Sequence, residues 1–315
     1  PGQRGVIASA SYEARAKGVR SAMPSSKALK LCPELKLVSS NRPMIRSCST
    51  QVMEILSRYG TLERMSVDEA FVDLSLQKNP EALVKTILKR IKSKTGLPSS
   101  AGLATSKLVA KIASDFEKPE GFTVVVPGTE SKFLAPLEIR KMYGIGPKTA
   151  SLLNGIGIEK CSDIVSIDIQ KLQPLFGQYS VNLKNKAKGI DNRPVDPSPW
   201  VAKQQGTETT FESDIKEANE VELALQELSK EVSESIEQMG KSARTITIKI
   251  RWSDFTTITR QKTVPGEIHK SEDIYKVAKS LLYENWEPGK PIRLLGVSAS
   301  RLGVSDQQKL NLEFE

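Results

Sequence analysis

The sequence predicts a protein of several domains that combines α-helices and β-strands, the α+β class. Residues 43–126 alternate helical and strand patterns in the order α-β-β-α-β, followed by a further α-β. Residues 206–302 repeat a β-α-β-β-α-β order, and residues 128–190 between these regions carry helical patterns throughout. A chain of 315 residues is long enough for two or more such domains.

The composition is that of a globular protein without membrane or secretory features. Hydrophobic residues make up 38% of the chain, and no apolar run is long enough to span a bilayer. No leader of the charged, apolar and small-residue type begins the sequence, so nothing indicates secretion. The cysteines Cys32, Cys48 and Cys161 are dispersed without metal-ligand spacing, which favours a reducing cytosol. A cytoplasmic location is therefore expected, and the single His269 argues against a histidine-rich metal site.

The charge is unevenly distributed along the chain. The formal net charge is +9, yet basic residues exceed acidic ones only over residues 1–205, and residues 206–315 are acidic on balance. Because Lys and Arg gain affinity for phosphate by releasing counterions, the basic part favours a polyanionic partner. An ordinary basic protein would show the same excess of charge.

Two adjacent carboxylates lie in the segment Ser66–Phe71, between apolar runs. Neighbouring residues on a regular strand point to opposite faces, so Asp68 and Glu69 can serve one site only where the pleat breaks. At a hairpin end or bulge, the pair could bind a hard divalent cation such as Mg²⁺ through oxygen ligands. The alternative is a solvated Asp-Glu turn, and the dipeptide alone does not exclude it.

The N-terminal region combines a phenol with a guanidinium. Residues 6–10 are predicted to form a short strand, and Tyr12 and Arg15 share one face of the helical turn that would follow. An arginine can hold two phosphate oxygens while a tyrosine donates one hydrogen bond, which suits a triphosphate. The small Ala8 and Ala10 would let a planar base pair approach the backbone. A surface Tyr-Arg pair is the alternative.

The middle of the chain predicts a helix over residues 43–59 and then a hairpin with Asp68 and Glu69 near its tip. Asn79 and Pro80 mark the start of the next helix, because proline suits the first helical position. This order is similar to a split βαβ arrangement without its first strand. The chain is therefore expected to begin after a piece of its own fold.

A glycine-containing turn lies in the helical region. Gly144 and Gly146 flank one apolar residue between two short predicted helices, and Lys148 follows. Exposed N–H groups at such a helix start form an anion site suited to one DNA phosphate. This is similar to a helix-hairpin-helix motif, which binds the duplex backbone without reading its sequence. The alternative is a glycine break used for packing.

The last predicted domain, residues 206–302, contains a polar and basic sheet face. One strand alternates between apolar residues and a polar face that carries Lys249 and Arg251, and the following strand adds Arg260 and Lys262. Such a face could lie along a DNA groove. Ordinary half-exposed strands would give the same pattern.

Taken together, the chain resembles the Y-family translesion DNA polymerases of the bacterial DNA polymerase IV type. The resemblance covers residues 4 to about 302. The matching segments run in the family's order and are Ser11–Arg15, Lys17–Pro24, Ser66–Phe71, Ser106–Pro119 and Gly144–Lys148.

The resemblance implies a right-hand polymerase with palm, fingers, helical thumb and a βαββαβ little finger. The implied regions are partial fingers at 1–41, palm at 42–127, thumb at 128–195, linker at 196–205, little finger at 206–302 and flexible tail at 303–315. The implied activity is error-prone translesion synthesis, in which dNMP is transferred from dNTP to a primer 3′-hydroxyl on damaged, primed DNA. A monomer is expected.

The resemblance also implies roles for individual residues. Asp68 would be a metal ligand and Glu69 the catalytic carboxylate beside it, in a site with two Mg²⁺ ions. The incoming triphosphate would be held by Tyr12, Arg15 and Lys118, with help from Ser9. A roof over the nascent base pair would be lined by Val6, Ala8 and Ala22. Contacts to DNA would come from Gly144, Gly146, Lys148, Lys249, Arg251, Arg260 and Lys262.

Two departures from the family pattern matter. The family's first palm strand carries another metal-binding aspartate and an aromatic that excludes ribonucleotides, and no residue of this sequence matches either. The chain is therefore expected to be N-terminally truncated, and the alternative function is a catalytically inert DNA-binding chain. The segment Gln308–Phe314 resembles the family's peptide for binding the sliding clamp, but with irregular spacing.

A nucleotide cyclase-like enzyme is a further alternative, because palm-type folds also handle triphosphates. The predicted hairpin motif and the basic sheet face favour DNA over this alternative. A steep dependence of binding on salt would separate the two, since a cyclase should show none.

Overall fold

The computed structural model describes residues 4–304, and the chain divides into two compact units. One unit is Ser40–Trp200, and the other combines Pro1–Ser39 with Val201–Glu315. Both units contain helices and strands, which confirms the predicted α+β class. No helix within the described residues is long and apolar enough to cross a membrane.

Residues 4–304 form twelve α-helices and a short 3₁₀ turn at Ile139–Lys141. The helices are α1 Tyr12–Ala16, α2 Ser25–Leu31, α3 Arg42–Leu56, α4 Pro80–Thr95, α5 Lys107–Phe116, α6 Glu130–Leu134, α7 Pro147–Asn154, α8 Cys161–Ser166, α9 Ile169–Phe176, α10 Tyr179–Ala187, α11 Ala218–Gln238 and α12 Ser271–Tyr283. The strands are β1 Thr61–Arg64, β2 Ala70–Asp73, β3 Ala101–Leu103, β4 Phe122–Val124, β5 Gln204–Ile215, β6 Lys241–Trp252, β7 Thr257–Ile268, β8 Ile292–Ser300 and β9 Gly303–Val304.

The first part of the Ser40–Trp200 unit follows the predicted order of elements. Strands β1 and β2 form an antiparallel hairpin, and β3 and β4 pair in parallel, so the four strands make two separate sheets. Helices α3 and α4 pack through a small cluster of Ile55, Ile87 and Ile91. Helix α5 packs so closely on β3 that a Cβ at Gly102 would lie 2.1 Å from the Ala110 carbonyl oxygen. Glycine is required there because two backbones meet.

The helices α6–α10 complete this unit. Their apolar faces share one core with α5, in which Val109, Leu134 and Leu153 are fully buried. Asp191, in the segment after α10, accepts a hydrogen bond from the Leu108 N–H at 3.0 Å. Together with the cap from Ser106, whose Oγ accepts from the Val109 N–H, this contact fixes the first turn of α5.

The C-terminal part of the other unit has the predicted β-α-β-β-α-β order. Its antiparallel sheet has the strand order β5-β8-β6-β7, and α11 and α12 pack on one face. The core between them is large and apolar and includes Ile246, Ile248 and Ile250 of β6. Strand β9 pairs with the start of β6, so the prediction that the flexible tail begins at 303 is wrong for residues 303–304.

The N-terminal lobe, residues 4–39, has a small core of its own around Ile7, Val19 and Ala28. The predicted strand over residues 6–10 is wrong, because only a single bridge between Val6 and Pro24 forms. Residues with strand propensity form a strand only with a partner to pair with, and the paired segment here is too short for a ladder of hydrogen bonds. Within the same unit, the Arg4 side chain ion-pairs with Asp214 and donates to the Phe211 carbonyl oxygen at 3.1 Å.

Candidate active site

Asp68 and Glu69 lie in the turn between β1 and β2, where the strand pleat is interrupted, as predicted. Ser66 organises this turn. Its Oγ accepts hydrogen bonds from the Asp68 N–H at 3.2 Å and the Glu69 N–H at 3.1 Å, and donates to Asp68 Oδ1 at 2.8 Å. The Met65 N–H closes the turn onto the Glu69 carbonyl at 2.9 Å. Both carboxylates therefore start from a fixed backbone, with Asp68 exposed and Glu69 half-buried.

Two residues outside the turn, Ser49 and Arg64, stabilise it through hydrogen bonds. The Ser49 hydroxyl donates to the Val67 carbonyl, and Arg64 Nη2 donates to Ser49 Oγ at 2.9 Å. Arg64 Nε also donates to the Ser66 carbonyl at 3.1 Å. Sequence reasoning missed both residues. The available signal was Ser49 itself, a buried hydroxyl on α3 that needs a polar partner.

Helix α5 places a lysine against Glu69 of the carboxylate pair. Lys111 Nζ lies 2.9 Å from Glu69 Oε1 and 2.6 Å from Asp115 Oδ2, and its side chain is only 13% exposed. The other oxygen of Asp115, Oδ1, lies 2.5 Å from Lys118 Nζ. Burial opposes the charge of Lys111, but the hydrogen bonds to Asp115 and Glu69 outweigh it and raise the pKa of Lys111.

The same contacts act on Asp115 with the opposite sign. Burial would raise its pKa, but the hydrogen bonds from Lys111 and Lys118 outweigh burial and lower the pKa of Asp115. That Lys118 binds the incoming triphosphate stays a prediction. What the structure adds is an unbroken series of ion pairs from Glu69 to Lys118. Sequence reasoning missed Lys111 and Asp115, although both lie inside the matching segment Ser106–Pro119.

The donor chemistry of the turn fits a divalent cation. Asp68 and Glu69 present carboxylate oxygens, the hard ligands that Mg²⁺ prefers. Within residues 4–304, no group of three or more His, Cys, Asp or Glu side chains is close enough to form a complete protein cage. Mg²⁺ commonly uses one or two carboxylates together with water and substrate phosphates, so two carboxylates suffice for a partial set.

The residues predicted to hold a triphosphate in the N-terminal lobe surround the start of α1. Ser11 caps this helix, its Oγ accepting from the Ala14 N–H at 3.3 Å. Tyr12 is 50% exposed, and Arg15 Nε donates to the Ala10 carbonyl at 3.0 Å. Ser9 is exposed just before the helix. The lobe therefore presents these three side chains close together in sequence and at its surface.

The three predicted roof residues are exposed on the same lobe. Ile7 points into the small core, so its neighbours Val6 and Ala8 point outward. Ala22 is joined to them by its N–H, which donates to the Ile7 carbonyl at 2.8 Å. Ala22 has φ 65°, a left-handed conformation that costs energy for a residue with a Cβ. The structure thus brings Val6, Ala8 and Ala22 to one small-residue region.

The predicted glycine turn connects the 3₁₀ turn to α7. Gly144 has φ 89°, which favours glycine, and Gly146 is the N-cap of α7. Lys148 is exposed in the first turn of this helix. The structure adds Lys186, whose Nζ would lie 3.1 Å from a Cβ at Gly144 and sits 5.5 Å from the ring centre of Tyr179. The missed signal was a lysine at every second position at the end of α10 and just after it, Lys184, Lys186 and Lys188.

The polar face of the C-terminal sheet contains Lys249 and Arg251 but not the other two predicted basic residues. Lys249 lies opposite Thr259 and forms an ion pair with Glu208 at 2.7 Å. The prediction of one shared basic face is wrong for Arg260 and Lys262. They lie opposite Ile248 and Ile246, respectively, and therefore on the helix side of the edge strand β7.

The side of Arg260 is supported by a second contact. Its Nε donates to Asn285 Oδ1 at 3.0 Å, just beyond α12. The outer face instead carries a row of small or uncharged polar residues. Its members across the four strands include Gly206, Thr210, Thr247, Thr257, Thr259, Gln261, Gly296 and Ser298.

Comparison with known families gives three matches in chain order. Residues 1–115 match the impB/mucB/samB family, residues 127–158 the IMS family HHH motif, and residues 202–312 the impB/mucB/samB family C-terminal domain. The second match coincides with the glycine turn, which confirms the predicted helix-hairpin-helix motif.

Relatives match over almost the whole chain. The chain is 36% identical to a DNA polymerase IV of Clostridium perfringens, covering 100% of this chain and 89% of that protein. It is 38% identical to a DNA polymerase IV of Halorhodospira halophila, covering 98% of this chain and 88% of that protein.

Solved structures show the same fold. A Y-family DNA polymerase chimera, Dbh-Dpo4(243-245)-Dbh, superimposes with a TM-score of 0.85 at 26% identity, covering 96% of this chain and 89% of that one. An insertion ternary complex of Dbh DNA polymerase gives a TM-score of 0.63 at 25% identity, with the same coverage. The chain therefore belongs to the Y family of DNA polymerases, in the DNA polymerase IV group.

Proposed function

We propose that the protein is a DNA-directed DNA polymerase for translesion synthesis, which adds dNMP from dNTP to a primer 3′-hydroxyl on damaged template. The observation that carries this proposal is the turn of Asp68 and Glu69. Ser66 fixes the turn, and Glu69 is linked through Lys111 and Asp115 to Lys118. The turn lies in a chain that aligns over its full length with a DNA polymerase IV relative. The error-prone and lesion-tolerant character rests on the exposed small residues of the N-terminal lobe.

The turn would hold Mg²⁺, two ions in the working site. Bound metal supplies charge stabilisation for the attacking and leaving oxygens of an in-line displacement. The protein's own part is to hold Asp68 as a metal ligand and Glu69 as the catalytic carboxylate beside it. Ser66 keeps both backbones in place, so the oxygens need little reorganisation when substrate arrives.

Binding of dNTP would use the side chains predicted for it. Arg15 can hold two phosphate oxygens, Tyr12 can donate one hydrogen bond, and Lys118 is a point charge for phosphate. Ser9 would assist beside Tyr12. In the same lobe, Val6, Ala8 and Ala22 would form the roof over the nascent base pair. Because these roof residues have small or short side chains, a distorted template base could be accommodated, and selection against mismatches would be correspondingly weak.

Primer-template DNA would contact two surfaces. In the helix-hairpin-helix motif, the N–H groups near Gly144 and Gly146 and the ammonium of Lys148 would hold one backbone phosphate, with Lys186 beside them. The outer face of the C-terminal sheet would place Lys249 and Arg251 along the phosphates.

The small residues between these basic side chains would let the backbone approach closely, and such contacts position DNA without reading its sequence. Arg260 and Lys262, on the other side of β7, would contact DNA only at the strand's edge.

A second candidate function is a DNA-binding chain without catalysis. The observation that favours it is that, among residues 4–304, no third carboxylate joins Asp68 and Glu69. In this case the thumb motif and the sheet face would still bind DNA.

Primer extension separates the two candidates. The chain and its Asp68→Ala variant are compared on primed DNA with Mg²⁺ and four dNTPs, and DNA binding is measured for both over a salt series. Extension only by the unchanged chain supports the polymerase. Binding by both proteins without extension supports the second candidate. Triphosphate turnover without salt-dependent DNA binding would contradict both and favour a cyclase-like enzyme.

The chain would act as a monomer and could also bind the replicative sliding clamp. The predicted clamp peptide, Gln308–Phe314, lies outside the described residues. A pulldown with the clamp, using the chain with and without residues 306–315, tests this partner. Equal capture of both forms would contradict it. Size-exclusion chromatography with light scattering tests the monomer.

A further inference from the structure

A series of alternating charges connects the catalytic turn to the triphosphate lysine. It runs from Glu69 to Lys111 at 2.9 Å, from Lys111 to Asp115 at 2.6 Å, and from Asp115 to Lys118 at 2.5 Å. The formal charges of the four groups cancel. The two ends are residues that bind substrate or metal in the proposed function, whereas the two middle residues have been given no role.

The two middle residues are held by a well-anchored helix. Lys111 and Asp115 are four apart on α5 and therefore lie on one face of it. The first turn of α5 is fixed by Ser106 and Asp191, and the helix packs into the core through Val109 and its neighbours. The Lys111 side chain is 13% exposed, so it cannot move far from its two carboxylate partners.

We propose that Lys111 and Asp115 are positioning residues that couple the metal carboxylate Glu69 to the triphosphate-binding Lys118. Lys111 orients the Glu69 carboxylate and balances its charge before metal arrives. Asp115 shares Lys111 and holds Lys118 on its other oxygen. This inference rests on the proposed function for the roles of Glu69 and Lys118.

The coupling has a directional consequence. A metal ion that binds Glu69 competes with the ammonium of Lys111 for the same oxygens. When the metal wins, Lys111 is left with Asp115 alone, and Asp115 then holds Lys118 less strongly. Lys118 is therefore freed for phosphate at the moment when the metal is in place. Removing Lys111 should strengthen metal binding but weaken catalysis, because Glu69 loses its orientation.

The first test needs no catalysis. Mn²⁺ is titrated into the full chain, and free Mn²⁺ is measured by electron paramagnetic resonance. Lys111→Met should tighten Mn²⁺ binding about thirtyfold, because a unit charge about 4 Å from a dication is removed. Lys111→Arg, which keeps the charge, should bind as the unchanged chain does. Lys89→Met, the same substitution at an exposed position of α4, is the matched control and should also bind normally.

The Glu69→Gln background tests whether the effect is local. There, Lys111→Met should give a smaller gain in Mn²⁺ affinity, because the metal and the ammonium no longer compete for a charged carboxylate at position 69. An unchanged affinity for Lys111→Met alone, or the same gain when it is combined with Glu69→Gln, would overturn the proposal. A merely structural role for Lys111 would lower metal affinity together with thermal stability, which is also a contrary result.

The second test distinguishes the roles of Lys111 and Asp115 through the kinetics of single-nucleotide incorporation. Lys111→Met should lower kcat at least about tenfold with little change in KM for dNTP, and Lys111→Arg should restore most of it. Asp115→Asn should chiefly lower KM for dNTP, because it releases Lys118 to bind the triphosphate. Effects of both variants confined to thermal stability would contradict the proposal. If the unchanged chain extends no primer, the proposed function is contradicted. The Mn²⁺ titration then still tests the coupling of Lys111 to Glu69.

Discussion

The turn that carries Asp68 and Glu69 and the C-terminal sheet are supported in opposite ways. Asp68 and Glu69 stand on a two-stranded hairpin whose tip is held by hydrogen bonds and ion pairs from Ser66, Ser49 and Lys111. The apolar cluster that α3 and α4 form in the same unit contains three buried residues. Lys249, by contrast, stands on a long central strand whose other face is fully buried in a large core.

This difference has a physical reason. Burial would disfavour the charged form of the two carboxylates at the turn, so an apolar core is poorly suited to fix them. Short polar contacts do the positioning instead. Basic side chains that meet a long polyanion need only a rigid, flat support, which an apolar core supplies. Substitutions at the turn should therefore change chemistry, and substitutions under the sheet should change stability.

The largest effect is expected for Asp68→Ala. Loss of a metal ligand should lower the rate of primer extension about a hundredfold to a thousandfold, since a metal supplies several kcal/mol of charge stabilisation. The melting temperature should change little, because the side chain is exposed. Glu54→Gln, an exposed acid on α3, is the control and should extend primers normally. A large drop in the melting temperature of Asp68→Ala would contradict the expectation that substitutions at the turn change chemistry and not stability.

The opposite outcome is expected for Ile248→Ala. Ile248 is fully buried between β6 and the helices, so the free energy of unfolding of this domain should fall by about 3 kcal/mol. Denaturant unfolding can be followed by fluorescence of Trp252 and Trp286, which both lie in this core. Thr247→Ala, on the other face of the same strand, should stay within about 0.5 kcal/mol. Similar losses for both variants would contradict the one-sided core.

A smaller effect on chemistry is expected for Ser66→Ala. The variant loses one hydroxyl that accepts from two N–H groups and donates to Asp68. Primer extension should slow about tenfold, and stability should fall by about 1 kcal/mol. Ser57→Ala removes a hydroxyl of an exposed helix end and serves as control. Unchanged extension by Ser66→Ala would mean that the turn keeps its shape without this hydroxyl.

The smallest effect is expected on the sheet face. Lys249→Gln and Arg251→Gln should each weaken DNA binding uniformly across sequences and reduce the salt slope by about 0.9 per lost phosphate contact. Lys262→Gln, on the opposite side of β7, should change the slope less. Binding measured by fluorescence anisotropy over a salt series checks this. An equal loss for all three variants would mean that both sides of β7 contact DNA.

Local patterns predicted most of the helices and strands correctly. Asn79 and Gly96 mark the two ends of α4 as N-cap and left-handed C-cap, because each end needs a residue that satisfies free backbone groups. The alternation of β6 predicted its buried and exposed faces. The strand expected over residues 6–10 did not form, since a strand depends on a partner that local sequence does not reveal.

Pairings between distant segments could not be predicted. Alternation showed that Arg260 and Lys262 share a face, but only the register of β6 with β7 decides which face it is. The helical period places Lys111 and Asp115 together, yet nothing local predicts that Glu69, 42 positions earlier, accepts from the same ammonium. Ser49 likewise meets the turn only because α3 packs beside the hairpin.

By itself, the sequence determined the order of elements, the position of the two carboxylates in a strand-breaking turn, and the motifs that mark a Y-family polymerase. Each of these depends on residues that are near one another along the chain. Tertiary structure alone decided what each charged side chain meets. Lys111 meets Glu69, Lys186 meets the Gly144 turn, and Lys249 meets Glu208. The physical reason is distance along the chain. A side-chain contact of about 3 Å between distant residues depends on how whole helices and strands pack, which no local pattern encodes.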